Sequence, residues 1–191
     1  MKESTKYILG AVGIIVVLVL IGGSFIVSGI NKVVGFDENV KKEWSQVDNQ
    51  LQRRYDLIPN LVETVKGYAS QEKEVFIKVT EARSRVGQAK SISEKIDANN
   101  ELTGALSRLL VVVERYPDLK SNQNFIRLQD ELAGTENRIA VARMRYNDSV
   151  NELNAHIRKI PGVVFARIAG VEQASYFKAV EPAKEVPKVN F

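Results

Sequence analysis

The strongest constraint on this fold is an uncharged run of 24 residues, from Tyr7 to Ile30, between Lys6 and Asn31. As an α-helix rising about 1.5 Å per residue, the run is roughly 36 Å long, which exceeds the hydrocarbon core of about 30 Å. A cleaved signal peptide is the alternative, but its apolar region has roughly 7 to 15 residues and precedes a small-x-small site. The run is longer and contains no A-x-A, so it predicts a transmembrane anchor.

The charges that flank the run leave its orientation open. Lys2 and Lys6 precede it, and Lys32, Lys41 and Lys42 follow, so the positive-inside count is nearly balanced. Of the two orientations we favour the one that places the following domain on the extracytoplasmic side. Glycines within the run allow close approach of helices and suggest self-association.

The amino-acid composition excludes several classes of protein and of functional site. With 45% hydrophobic and 26% charged residues, the chain is expected to form one core. It has no cysteine, which excludes disulfides, thiolate metal sites and cysteine nucleophiles. The net charge of +4 comes from alternating acidic and basic residues. This pattern is typical of a solvated surface and predicts no nucleic-acid partner.

After the anchor, apolar or small residues recur at steps of three, four and once seven: Val40, Trp44, Val47, Leu51, Tyr55, Ile58, Val62, Val65, Ala69, Phe76 and Val79. The pattern stays in phase across Pro59. It predicts one continuous helix over residues 37–88, kinked where Pro59 frees the Tyr55 carbonyl. The kink either lets the long helix curve around the helices that pack on it or acts as a functional hinge.

Two further stripes predict two more helices. The second stripe ends before Pro117, and Ser91 or Ser93 is suited to cap its start; the third ends at Pro161. Their members are Ile92, Ile96, Leu102, Leu106, Leu109, Val113 and Tyr116, then Phe125, Leu128, Leu132, Thr135, Ile139, Ala142, Tyr146, Val150, Leu153, Ile157 and Ile160.

The predicted fold is therefore all-α, with a single N-terminal transmembrane helix followed by an elongated antiparallel helical bundle of three main helices. Steps near 3.5 favour coiled-coil-like crossings. The predicted domains are a short tail (1–6), the anchor (7–30), the long-helix bundle (31–162), a docked or surface-lying apolar segment (163–180) and a disordered tail (181–191).

The sequence contains few residues in patterns typical of catalytic or metal sites. His156 has no second imidazole with which to share a metal, so a lone surface histidine is expected. The motifs of zinc proteases, serine hydrolases and nucleotide-binding loops are absent from the sequence. We predict no metal and no cofactor. Asp118 with Glu131 or Glu136 is a carboxylate pair that keeps a hydrolase as a minor alternative.

Polar residues line the third stripe. Glu136, Arg143, Asn147 and Asn154 follow one another at spacings of seven, four and seven. Such a line runs along the edge of a buried helix face, where it can pair across helices and fix their register. A groove that binds a partner is the alternative.

Two long motifs carry a family resemblance, KEWSQVDNQLQRRYDLIPNLVETVKGYA from Lys42 and ERYPDLKSNQNFIRLQDELAGTENRIAVARMRYNDSVNELN from Glu114. Together with the N-terminal span, they resemble the LemA family of bacterial membrane proteins over nearly all of residues 31–160. The resemblance implies one anchor in the bacterial cell membrane, an elongated helical bundle and no assigned activity or cofactor. Its motif positions in this chain, our interface candidates, are Arg53, Arg54, Asp56, Pro59, Asn60, Pro117, Asp118, Glu136, Arg143, Tyr146 and Asn147.

The resulting hypothesis is a non-enzymatic, single-pass membrane protein that self-associates as a scaffold. A relative in this family is associated with magnetosome membranes, which favours a membrane-organising role by analogy. The expected partners are the lipid bilayer, further copies of the chain and a membrane protein. An adaptor for a partner such as a membrane protease is the first alternative, and the hydrolase is the second.

Overall fold

The computed structural model describes residues 2–178, without the side chains of residues 2–6 and 11. Within residues 2–178 all regular structure is helical, which confirms the all-α class. The disordered tail predicted for 181–191 lies outside the described residues. The helices are α1 (Lys2–Lys66), α2 (Lys73–Gln88), α3 (Ile92–Val113), α4 (Pro117–Lys120), α5 (Gln123–Ile157) and α6 (Gly162–Ala169).

Helix α1 contains the predicted anchor. Its apolar side chains are exposed along the run, with Leu18 at 62% and Leu20 at 67% of their full accessible area. Among the helices of residues 2–178, α1 is the one long and apolar enough to cross a membrane. An exposed apolar stretch of this length is what a lipid environment requires.

The chain divides into two compact units. Among the described residues, the first comprises those up to Lys42 and Asp148–Ala174, and the second comprises Glu43–Asn147 and residues 175–178. Helices α1 and α5 each contribute residues to both.

The predicted single helix over residues 37–88 is wrong in one respect. Helix α1 runs through Pro59 as predicted, but it ends at Lys66, and a turn leads into α2 at Lys73. The N–H groups of Tyr68 and Ala69 both donate to the Val65 carbonyl, which tightens the last turn of α1. The break falls in the seven-residue gap of the stripe, where the next helical step would place Glu72 or Lys73 on the apolar face.

The turn reverses the chain. Arg83 of α2 contacts Tyr55 of α1, 28 residues earlier, so α2 folds back along α1. The reversal buries Phe76 and Val79 in the same core as Val65, and this burial replaces the extended helix. The second unit is therefore built from four longer helices rather than the predicted three.

Contacts within the second unit give the helix directions. Asp48 pairs with Lys95, and Arg54 with Asn99, so α3 runs parallel to α1. Trp44 packs on Tyr146, whereas Arg54 pairs with Glu136, so α5 runs antiparallel to α1. One continuous cluster forms the core between these helices: Ile58, Leu61, Val62, Val65, Ala69, Phe76, Val79, Ala82, Leu102, Ala105, Leu106, Leu109, Val113, Leu119 and Phe125.

The start of α3 follows the prediction. Ser91 is its N-cap: the Ser91 hydroxyl accepts from the Glu94 N–H at 3.2 Å, and the Glu94 carboxylate accepts from the Ser91 N–H at 3.1 Å. This reciprocal capping box satisfies two backbone donors.

The first unit joins the start of α1 to the end of α5 and to α6. The Phe36 ring packs on His156 at 4.9 Å, and Phe25 meets Phe165 edge to face at 5.7 Å. Ile160, predicted as the last residue of the third stripe, lies beyond the end of α5 and is 88% exposed.

Candidate functional site

A buried arginine lies at the centre of the second unit. The Arg54 side chain is 2% exposed. Its guanidinium donates to Glu136 Oε2 at 2.9 Å, to Thr103 Oγ1 at 3.0 Å, and to the side-chain and backbone oxygens of Asn99 at 2.7 and 3.2 Å. Thus one side chain from α1 bonds α3 and α5 together.

The two partners of this ion pair differ in burial, because Arg54 is enclosed whereas Glu136 is partly exposed to solvent. Burial lowers the pKa of Arg54, and the neighbouring Glu136 carboxylate opposes that shift. Arg143 lowers the pKa of Arg54 further, and its own pKa is lowered by burial and held up by Glu136. Glu136 therefore faces two arginines, but it is itself 46% exposed. The Nε of Arg54 is buried without a hydrogen-bond partner.

The structure shows what takes up the bond that Pro59 removes. Pro59 has no N–H to donate to the carbonyl of Tyr55, four residues earlier. Arg83 Nε donates to that carbonyl at 3.3 Å, and its guanidinium lies 4.0 Å from the centroid of the Tyr55 ring. Pro59 thus opens a position in α1 that binds α2.

Three candidate residues on α5 bind the irregular segment at the end of the described chain. Asn147 donates to the Phe177 carbonyl at 3.0 Å and accepts from the Phe177 N–H at 2.8 Å. Tyr146 donates its hydroxyl to the Ser175 carbonyl at 2.8 Å, and Arg143 donates to the Lys178 carbonyl at 3.3 Å. All four bonds go to main-chain atoms of residues 175–178, which we call the tail segment.

One tail side chain enters an aromatic pocket. Phe177 is 4% exposed and lies between the Arg143 guanidinium, 4.1 Å from its ring centroid, and the Trp44 ring at 6.5 Å. Trp44 in turn meets Tyr146 edge to face at 5.3 Å. Burial raises the pKa of Tyr146, so its hydroxyl keeps the proton that it donates to the tail. We call Trp44, Arg143, Tyr146 and Asn147 the tail groove.

Comparison with known proteins matches residues 43–191 to the sequence profile of the LemA family. The chain belongs to the LemA family. The resemblance predicted from the two long motifs is thereby confirmed.

Curated relatives extend the comparison. The chain is similar to Magnetosome protein MamQ 2 of Paramagnetospirillum magneticum, with 28% identity over 82% of this chain and 67% of the relative. Magnetosome protein MamQ of Magnetospirillum gryphiswaldense is 27% identical over the same shares. Protein LemA of Metamycoplasma hominis is 22% identical over 66% of this chain and 58% of that protein. These names, with the apolar helix, fit a membrane protein.

The LemA motif positions fall into groups. Arg54 and Glu136 bind each other, and Arg143, Tyr146 and Asn147 bind the tail segment, whereas the other six do not join either cluster through a described contact. Arg53 lies 3.8 Å from Glu131 at the surface, Asp56 accepts from Gln52, the Asn60 carbonyl accepts from Thr64, Pro59 opens the position that Arg83 fills, and Pro117 and Asp118 begin α4.

Sequence reasoning missed several members of these clusters in the LemA chain. Asn99 lies on the apolar stripe of α3, between Ile96 and Leu102, and is 2% exposed. A polar side chain on a buried helix face needs a hydrogen-bond partner, so the position of Asn99 within the apolar stripe already indicated a buried polar contact. Phe177 gave no such signal because its hydrogen-bond partner, Asn147, is 30 residues away in sequence.

No group of three or more histidine, cysteine, aspartate or glutamate side chains within residues 7–178 is arranged to hold a metal ion. Two carboxylates named for the hydrolase alternative have different surroundings. Glu136 pairs with Arg54, and Asp118 is in the first turn of the short helix α4.

Proposed function

We propose that this LemA-family chain is a single-pass membrane protein that performs no reaction itself and organises its membrane by self-associating as a scaffold. The anchor is the apolar run of α1, and the lipid bilayer and further copies of the chain are its partners. Support comes from the exposed apolar helix and from relatives named as magnetosome proteins.

The tail groove is the observation that carries the proposal. It binds a four-residue segment through main-chain atoms and buries one aromatic side chain, as peptide-recognition sites do. The same segment from a second copy offers the same atoms. Because anchored copies share one membrane plane, their local concentration is high, and this favours exchange of tail segments between copies.

The contacts of the motif residues support a structural rather than a chemical role. Arg54 and Glu136 bond helices to one another, and the polar groups of the tail groove are engaged with the tail. In this arrangement, the polar side chains that the sequence singled out hold the fold and its tail together.

Cross-linking tests the exchange directly, because the chain has no cysteine of its own. Arg143 contacts Lys178 in the structure, so we would place cysteines at these two positions on differently tagged copies. After reconstitution into one bilayer, a short bismaleimide should join Arg143→Cys of one copy to Lys178→Cys of the other.

Matched variants complete this experiment. A single chain carrying both cysteines reports the contact within one copy, and Asn147→Ala should abolish either product by removing two bonds to Phe177. Cross-links formed only within one copy, together with a strictly monomeric mass at high protein density, would contradict the scaffold. Impermeant maleimide labelling of Lys178→Cys in intact cells tests the favoured extracytoplasmic side.

The same groove supports an adaptor as the second candidate. Recognition of main-chain atoms admits a peptide from a different protein if it supplies an aromatic side chain at the position of Phe177. A membrane protease or its substrate is a partner of this kind. A protein that co-purifies with the Phe177→Ala variant, whose aromatic pocket lacks its ring, and is lost when Asn147→Ala is added would favour the adaptor over the scaffold.

A further inference from the structure

Helix α6 packs against α1 at the end of the apolar run. Phe165 is 6% exposed, and its ring rests on the backbone of Gly29, where a Cβ atom would overlap it. The same ring meets Phe25 at 5.7 Å. Gly29 is thus the position in α1 that lets α6 approach.

This contact fixes the depth of α6 relative to a bilayer. The apolar run is roughly 6 Å longer than the hydrocarbon core of about 30 Å, and Phe25 lies five residues, about 7.5 Å, before its end at Ile30. Phe25 therefore lies within the hydrocarbon region, and Gly29 lies close to its boundary. Because Phe165 touches both residues, an α1 that spans the bilayer as proposed above would place α6 at the membrane interface.

The side of α6 that does not pack on α1 is apolar. Val164 and Ile168 of α6 lie one helical turn apart and are 52% and 59% exposed, and Ile160, in the turn before α6, is 88% exposed. At this depth acyl chains cover such a row, as they cover the apolar face of an interfacial helix.

Within α6 and the turn before it, the charged residues are basic, and Glu172, which lines a cavity together with Arg167, is the acidic residue that follows α6. Residues 156–169 contain no aspartate or glutamate, and they contain Arg158, Lys159 and Arg167, all exposed. Burial is the largest cause that lowers the pKa of His156, and the charges of Lys32 and Lys159 lower it further. Both lysines therefore lie near that imidazole. Asp37 and Glu38, the acidic residues that follow Lys32, are paired with Lys41.

We propose that α6 and the turn before it form a second membrane-binding element, which inserts Ile160, Val164 and Ile168 among acyl chains and holds anionic phospholipid headgroups with Arg158, Lys159 and Arg167. Basic side chains beside an apolar helix face are the usual means of binding anionic lipid. The inference rests on the anchor of the proposed function but not on self-association.

Depth-dependent quenching tests the insertion. The full chain, carrying Val164→Cys labelled with an environment-sensitive dye, would be reconstituted into vesicles that contain spin-labelled lipid. We expect severalfold stronger quenching than for Val111→Cys, a valine of α3 that is 70% exposed in the other unit. Equal and weak quenching at both positions would overturn the insertion.

A third label separates this inference from the anchor. Val16→Cys lies in the middle of the apolar run and should be quenched whenever α1 spans the bilayer. Quenching at position 16 without quenching at 164 would refute only the interfacial role of α6. No quenching at position 16 would refute the anchor and, with it, the inference.

The headgroup preference needs two lipid compositions. Quenching at position 164 should be stronger in vesicles with phosphatidylglycerol than in phosphatidylcholine alone, and neutralising Arg158, Lys159 and Arg167 to glutamine should remove the difference. Equal quenching in both compositions before neutralisation would overturn the assignment of anionic headgroups. Gly29→Ala should weaken quenching in both compositions by undocking Phe165, whereas Gly22→Ala, which has open space around it, should not.

Discussion

Replacing Glu136 by alanine leaves the Arg54 guanidinium charged and enclosed, because Arg54 is 2% exposed and Asn99 and Thr103 supply only neutral acceptors. Replacing Arg54 by methionine instead leaves Glu136, which is 46% exposed and therefore hydrated. The two halves of one ion pair should thus differ in cost, and the larger cost should come from removing the more exposed partner.

The structure sets the expected magnitudes. Breaking a fully buried pair costs about 3–5 kcal/mol, and because Glu136 is half exposed we expect about 3 kcal/mol for Glu136→Ala. Arg54→Met fills the same space and leaves the Asn99 side-chain oxygen without its guanidinium donor, at about 1–2 kcal/mol. The double variant lacks the orphaned charge and should therefore be more stable than Glu136→Ala alone.

Urea unfolding of the full chain in detergent micelles measures these differences. Trp44 is the single tryptophan, lies in the same unit and packs on Tyr146, so its fluorescence follows the loss of that unit. Arg53→Met is the matched control, since Arg53 is 56% exposed and 3.8 Å from Glu131, and it should change the free energy of unfolding by less than about 1 kcal/mol. A larger loss for Arg54→Met than for Glu136→Ala would refute the reasoning.

Three further predictions concern the helices and one titration. Arg83→Ala should cost about 1–2 kcal/mol by leaving the Tyr55 carbonyl unpaired, and Pro59→Ala should stabilise that variant more than the parent, because the new alanine supplies the missing N–H donor; equal effects in urea unfolding would contradict this. Ser91→Ala should cost about 1 kcal/mol by removing the cap of α3, again measured in urea; no loss would mean the cap is replaced by solvent. Burial and two nearby lysines lower the pKa of His156 below 6.5, so the unfolded chain binds more protons and thermal stability should fall as the pH drops below about 6.5; His156→Gln should lose this dependence.

The helical stripes were predictable because each helix buries one face. Val47, Leu102 and Leu153, one from each predicted stripe, are completely buried. The reversal between α1 and α2 was not predicted, because Phe76 and Val79 follow Ala69 at helical steps and so continue the stripe of α1. The true break depends on a long-range gain, the burial of Phe76 against Val65, which local periodicity does not contain.

The candidate site shows the same division. The line of polar residues on α5 predicted pairing across helices; Glu136 pairs with Arg54 of α1, whereas Arg143 and Asn147 bind the non-helical tail segment. The identity of those contacts could not be predicted, because Arg54 and Phe177 lie 82 and 30 residues from their partners. The spacing of residues along one helix identifies those that share a face, but it does not identify the residues that pack against that face.

The bonds between Asn147 and Phe177 involve the amide and carbonyl groups that nearly every amino acid possesses. Substitutions at positions 175, 176 and 178 should consequently be tolerated, whereas position 177 needs an aromatic ring to fill the pocket and an N–H, which proline lacks, to donate to Asn147. A saturation library of residues 175–178 would then show broad acceptance at 175, 176 and 178 and a narrow aromatic requirement at 177. Natural variation could alter the tail extensively while preserving its attachment.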